Sequence, residues 1–312
     1  MQRRGFLTAS SVALLGLAVQ GGAAAEAAAP EPIIDIHQHV GYSGRSDKAL
    51  IAHQRAMGAT MTVLLPAGRP VVRASTHEGV SNGLQAQCLG NEACCRLARA
   101  HPKTFAFGAN EVPDLQGAAG EIERYLQRGA RVIGEQKFGV DCDSPEMQRI
   151  YELARAHHVP VLMHWQFQMY NYGFERFAAM LEKYPTVTFI GHAQTWWADI
   201  DRNHHDQTLL YPKGPVTAGG LTDRYLTDYP NMYGDLSAGS GLNALTRDEK
   251  FTRDFLTRHQ DKLLFGSDCT DVEGSGPRCQ GAQTIDAIQR LSPDKGIERK
   301  LLYHNAKALL RL

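Results

Sequence analysis

The chain of 312 residues is most informative first for what it lacks. It has no run of like charge. Lys and Arg total 33, Asp and Glu also total 33, and the formal net charge is zero. Nothing in so balanced a chain suggests a nucleic-acid partner or an anionic surface. No C-x-x-C pair occurs among its six cysteines (Cys88, Cys94, Cys95, Cys142, Cys269 and Cys279), which argues against a structural zinc site. Beyond residue 30 no apolar stretch approaches the roughly 20 residues that span a bilayer. No internal sequence repeat is evident either.

What is present begins with an export-type leader. Arg3-Arg4-Gly5-Phe6-Leu7 precedes an apolar run at 12–19 and a small-residue stretch at 21–25 with A-x-A-like cleavage sites. The paired arginines resemble the twin-arginine form. This layout implies passage through the twin-arginine machinery, a periplasmic or otherwise exported location, and no membrane attachment after cleavage. Residues 1–30 are therefore read as signal and linker, and 31–312 as the folded body of the protein. In an oxidising compartment Cys88 could pair with Cys94 or Cys95, and Cys269 with Cys279. Spacing does not assign connectivity, and free buried thiols fit equally well.

From residue 33 onward short β-branched runs alternate with longer amphipathic segments. Strands are expected at 33–37, 60–65, 104–109, 131–138, 159–164, 187–191, 232–236 and 262–266. Helices are expected at 47–57, 91–100, 115–128, 144–158, 174–183, 221–228, 248–259, 282–291 and 297–310. Residues 66–90 and 193–219 read as long loops, which in compact domains are functional or mobile. Strand–helix alternation argues for parallel strands with right-handed crossovers. Eight such units, in a chain not far above the roughly 250 residues of a typical (β/α)₈ barrel, point to that fold as a single domain.

The polar residues are placed systematically. His37 and His39 are two apart on a strand and so share a face. Glu135 and Lys137 lie on the fourth strand. His164 ends the fifth, His192 follows the sixth, and Asp268 follows the eighth. In a barrel these ends meet at one mouth. Nitrogen and carboxylate donors converging there suit a divalent metal, with zinc, manganese or iron all compatible. Taken singly each has an ordinary explanation: an exposed His-x-His, a Gly-Ser-Asp turn, a Glu–Lys ion pair. Their joint order is what argues for a metal centre. Asn110, Glu111, Asp235 and Ser237 also follow strands. Trp196, Trp197, Tyr170 and Tyr172 could wall a substrate pocket or simply pack loops.

With those residues in place, the chain resembles the amidohydrolase superfamily, in its amidohydrolase-related branch. The resemblance includes the ending His304-Asn305-Ala306-Lys307-Ala308-Leu309-Leu310. It implies His37, His39, His164 and His192 as metal ligands, with His192 also a catalytic electrophile-orienting group, and Asp268 as ligand and general base. It leaves the fourth strand open: Glu135 is similar to the bridging glutamate of TatD-type members, and Lys137 to the lysine of others. Glu135 is preferred as the ligand, for one or two metals per chain. Two reactions share this set. One is hydrolysis of a small-molecule lactone, ester or amide by a metal-activated water. The other is metal-dependent, non-oxidative decarboxylation of a small carboxylic acid, for which Arg45, Arg69 and Arg73 could supply the carboxylate-binding cation. Hydrolysis is the leading expectation.

Overall fold

The computed structural model describes residues 31–76 and 87–312. The export-signal reading at 1–30 lies outside them. Among the described residues no helix is long and apolar enough to cross a membrane.

Eight parallel strands form the frame: β1 (Ile34–Gln38), β2 (Met61–Leu64), β3 (Phe105–Phe107), β4 (Ile133–Gln136), β5 (Val161–His164), β6 (Phe189–His192), β7 (Met232–Asp235) and β8 (Leu263–Leu264). Ladders run β1-β2-β3 and β4-β5-β6-β7-β8. A few isolated backbone bonds bridge the two seams between these ladders. Ala109 N donates to Val132 O and Gly134 N to Ala109 O between β3 and β4, while Ile36 N donates to Phe265 O across the other seam. The frame is thus a (β/α)₈ barrel of short strands.

The helices begin and end where local chemistry directs. Ser46 accepts from Ala49 N to cap Asp47–Met57, which stops at Gly58 with φ 89°. Ser144 caps Pro145–His157 in the same way, with Pro145 in its first turn. Among the described residues two α-helices fall outside the expected set. Gln194–Ala198 lies within the segment read as a loop, and Ala238–Thr246, rich in Gly and Ser, follows β7. Neither has the long apolar period that marks a helix in sequence.

Alternation along β5 and β6 sorts side chains cleanly. Val161, Met163 and Phe189 pack outward with the helices. Leu162 and Ile190 join Ile34, Ile36, Val63, Leu65, Val132 and Leu264 inside the barrel, with Ala306 and Leu310 of the C-terminal helix in the same cluster. Each fully buried side chain of this kind contributes about 1.5–3 kcal/mol. Asn305 explains the Asn of the tail motif: its Nδ2 donates to Gln260 O at 2.7 Å and Leu263 O at 2.9 Å, tying the last helix to β8.

Strict alternation would turn His37 and Glu135 away from the interior, because Ile34, Ile36 and Val132 already point in. Both strands break register there. β1 slips against β2 between Asp35 and Gln38, and β4 slips against β5 between Ile133 and Gln136. Such irregularities re-aim side chains, and here they accompany the turn of His37 and Glu135 into the mouth. Gly266 leaves room for the result. A Cβ there would stand 2.5 Å from Asp235 Oδ1 and 2.8 Å from His37 Cβ. Gly266→Ala is therefore expected to destabilise the protein by about 1–3 kcal/mol. An unchanged urea midpoint would show that this contact is not tight.

Candidate metal centre

Four histidines and two carboxylates meet at the C-terminal ends of the strands. His37 comes from β1 and His39 lies directly after its end, Glu135 comes from β4, His164 from β5, His192 from β6, and Asp268 from the turn after β8. His37, His39, Glu135 and His192 are each no more than 1% exposed. Asp268 has φ 44° and its N–H donates to His37 O, so its backbone is pinned to β1. Asp is among the few non-glycine residues that take this left-handed conformation readily, and such outliers cluster at functional sites.

The outer nitrogens of three histidines are already used. His37 Nδ1 is 2.7 Å from Asp235 Oδ2, His39 Nδ1 is 2.8 Å from Leu65 O, and His192 Nδ1 is 2.9 Å from Ser237 Oγ. Ser237 Oγ in turn donates to Asp235 Oδ2. In the neutral rings these acceptors put the proton on Nδ1 and leave each Nε2 lone pair facing inward. The inward atoms His37 Nε2, His39 Nε2, His192 Nε2, Glu135 Oε2 and Asp268 Oδ1 are all buried and have no hydrogen-bond partner. An unmatched buried polar atom costs about 1–3 kcal/mol, and more where charge is involved. Five together call for a common partner.

Their spacing fits a cation. Glu135 Oε2 lies 3.4 Å from His37 Nε2 and 3.6 Å from His39 Nε2, and Asp268 Oδ1 lies 3.4 Å from His39 Nε2. Two ligands bound at about 2.1 Å to one tetrahedral cation stand roughly 3.4 Å apart. The other glutamate oxygen, Oε1, is 3.6 Å from His192 Nε2 and hydrogen-bonds His164 Nδ1. His164 is thus the one candidate with no open nitrogen, since its Nε2 lies 3.4 Å from Gln166 Oε1. To act as a ligand it must exchange its contact with Glu135 for the metal.

The electrostatics follow from this packing. Burial opposes ionisation of Glu135, but the His164 and His37 imidazoles hold its pKa well below the ordinary carboxylate value. Burial opposes charge on Asp268 too, and His37 and His39 override it, again lowering the pKa. For His37, burial disfavours the cation, yet Asp268, Glu135 and Asp235 together raise its pKa. His192 goes the other way. Burial, and then the neighbouring His37, push it down to about 4.

Lys137 does not pair with Glu135 at contact distance. Its Nζ lies 5.5 Å from the Tyr170 ring centroid. Burial disfavours its charge, but Glu135 and Asp268 raise its pKa, so it stands as an ammonium facing the mouth. The arginines expected there are committed elsewhere. Arg45 is buried and donates to Cys269 O and Asp271 O, Arg69 pairs with Glu111, and Arg73 with Asp114. Loop placement alone could not show that each finds an acceptor within the loops. Trp196 and Trp197 are buried, and Trp197 Nε1 donates to Asp235 O, so they support the site from behind. Tyr170 and Tyr172, with Gln166, Phe167, Trp165 and Asp199, line a pocket of about 470 Å³ beside His164. Asn110 braces β4, donating from Nδ2 to Glu135 O at 2.7 Å. Tyr42 was missed by sequence reasoning. Its ring packs edge-on to His39, and Asp268, followed by burial, raises the phenol's pKa, which keeps it a proton donor.

The comparisons agree with this architecture. A family profile described as Amidohydrolase matches residues 34–312, and the chain belongs to that family. No curated protein matches it. Among solved structures, 2,6-dihydroxybenzoate decarboxylase from Rhizobium aligns with TM-score 0.58 at 13% identity, covering 90% of this chain and 99% of that one. A probable 2-pyrone-4,6-dicarboxylic acid hydrolase from Acinetobacter baumannii aligns with TM-score 0.56 at 14% identity, covering 90% and 99%. A dihydroxybenzoic acid decarboxylase from Polaromonas sp. JS666, with bound manganese and the inhibitor 2-nitroresorcinol, aligns with TM-score 0.55 at 16% identity, covering 86% of each chain.

Two measurements check the site. His37→Ala/His39→Ala is expected to lose the mouth metal by elemental analysis, and full retention would refute the assignment. Asp235→Asn removes the acceptor behind His37 without touching an inward atom. It should weaken metal affinity by roughly 10–100-fold in a chelator competition while the fold persists.

Proposed function

We propose that the protein is a metal-dependent hydrolase that cleaves a C–O or C–N bond of a small, carboxylate-bearing lactone, ester or amide. The observation that carries this reading is the position of Glu135. One carboxylate oxygen faces His37 and His39, and the other faces His164 and His192. A carboxylate between two nitrogen sets suits either one cation or two bridged cations. His37, His39, Glu135 and Asp268 would hold the first, and Glu135, His164 and His192 a second. The chemistry such a cation would supply is Lewis-acid activation of water and of the scissile carbonyl.

The chain's own residues supply the rest. Asp268, about one-eighth exposed where its neighbours are sealed, is the carboxylate that can accept a proton and deliver it to the leaving group. The Asp235–Ser237 pair keeps His37 and His192 in a single tautomer. Lys137 offers a fixed charge to a substrate carboxylate, and Tyr170 and Tyr172 offer the apolar wall of a pocket. We further propose that the enzyme works after export, in keeping with the export-type pattern read at 1–30. The twin-arginine route would let the metal be loaded before export.

Lys137 also gives weight to the second reading, a non-oxidative decarboxylase, because that reaction too needs a cation at the substrate carboxylate. Turnover in ¹⁸O-labelled water separates the two. Hydrolysis places one ¹⁸O in the product. Carbon dioxide released from the substrate, with no label in the organic product, would replace the hydrolase reading with the decarboxylase. On the substrate so found, Asp268→Asn should lower kcat by at least about 10²-fold. Lys137→Met should raise KM for the carboxylate substrate and leave KM for its neutral methyl ester unchanged.

A further inference from the structure

Outside the mouth, one other group of described residues gathers metal-competent donors. His53 comes from the helix Asp47–Met57, Cys269 and Asp271 from the loop after β8, and Cys279 from the start of the helix Gln280–Leu291. Their donor atoms all lie within 4.8 Å of one another. His53 and Cys279 are fully buried and Cys269 is 2% exposed. We propose that His53, Cys269, Asp271 and Cys279 form a second, closed metal site that takes one zinc-like divalent cation.

The distances carry the proposal. Cys269 Sγ lies 3.7 Å from Cys279 Sγ, and His53 Nε2 lies 3.5 Å from Cys279 Sγ. Tetrahedral zinc with bonds of ~2.3 Å to sulfur and ~2.0–2.1 Å to nitrogen requires edges of about 3.7 Å and 3.5 Å respectively. Asp271 Oδ2 completes the set, 3.0 Å from His53 Nε2 and 2.9 Å from Cys269 Sγ. Those two are hydrogen-bond lengths, and exchanging the shared protons for a cation lengthens them by ~0.3–0.6 Å. A disulfide needs Sγ–Sγ near 2.05 Å, so the thiols would have to close by roughly 1.7 Å.

The surroundings are built for the same purpose. The other oxygen of Asp271 accepts from Glu273 N at 2.7 Å and Gly274 N at 2.9 Å, which turns Oδ2 towards the cysteines. Ala282 N donates to Cys279 Sγ at 3.3 Å, a contact that favours thiolate. Gly274, at φ +72°, lets the loop close on the helix, since a Cβ there would meet His53 O at 2.2 Å. On binding, both thiols release their protons and Asp271 is ionised. A dication then leaves the site with one net negative charge, beside Arg45, which donates to Cys269 O and Asp271 O. Four protein ligands leave no open position, so the role is structural. The absence of C-x-x-C argued against such a site in sequence. The ligands instead come from a Cys pair ten residues apart and a histidine more than 200 residues away, a set only the fold assembles.

The site bears on the mouth, because Cys269 follows Asp268 directly and Cys269 O accepts from Gln38, which lies between His37 and His39. The test is cobalt substitution of the full chain under reducing conditions. Thiolate-to-cobalt charge transfer in the near ultraviolet is expected from this cluster, and the nitrogen and oxygen donors of the mouth cannot produce it. The band should persist in His37→Ala/His39→Ala and vanish in Cys279→Ser and in Cys269→Ser, which should each bind about one metal fewer per chain. Absence of the band in the wild type, its survival in either serine variant, or a Cys269–Cys279 disulfide in protein isolated metal-replete without reductant would each overturn the proposal.

Discussion

The structure depends on a set of inward-facing donor atoms that the protein itself leaves unmatched. Glu135, 1% exposed, sits ionised among imidazoles, and its Oε2 has no hydrogen-bond partner. Removing a carboxylate from water costs several kcal/mol even after relaxation. The fold bears this cost at one place and compensates around it. Asp235, Ser237 and the Leu65 carbonyl occupy every outer nitrogen of His37, His39 and His192, so those rings cannot turn outward to find partners. The apolar layer beneath, from Ile34 to Leu264, offers none. The inward geometry is therefore held before any ligand arrives, which is the preorganisation that a metal centre needs.

How much of this could be read from sequence depends on whether each strand is regular. His164 and His192 follow Leu162 and Ile190 in unbroken alternation, so their orientation could be read directly. Asp268 has the same parity as Leu264 and Gly266, but it lies past the end of β8 with φ 44°, and the bond from its N–H to His37 O rather than alternation holds its backbone in place. His37 and Glu135 could not be placed by parity, because their strands slip register just before them, and a slip depends on pairing that one strand alone does not reveal. Only the joint pattern of strand ends pointed to them. The barrel itself was readable because eight apolar runs recur with helical segments between them. The helix Ala238–Thr246 was not, because its glycines and serines mask its period.

Residues that act through contact rather than position were the least visible. Arg45, Arg69 and Arg73 carry the charge that a substrate carboxylate would want, yet each is spent on a carbonyl or carboxylate far along the chain. Lys137 looked like half of a local ion pair and instead projects past Glu135 to Tyr170. His53 falls within the expected helix at 47–57, where nothing in the local sequence singles it out. In each case the functional group is visible in sequence, and the partner that decides its use lies 33 to more than 200 residues away.

The division between strands and loops also explains why family membership does not select the reaction. The donor set sits on strand ends whose positions are fixed by the barrel ladder, so relatives with different chemistries can share it with little change. What can differ is the ring of side chains just outside, supplied by loops and by strand residues that reach past the donors. In this chain that ring holds a single mouth-facing ammonium identified among the described residues, Lys137, close to an aromatic wall and to Asp268. An ammonium there lowers the energy of a bound carboxylate whether that group is a spectator or the one being lost. Only its placement relative to the reacting carbon separates the two. A carboxylate held at Lys137 while the carbonyl lies against the donor cluster is a spectator, and the bond that breaks is then the one attacked by water.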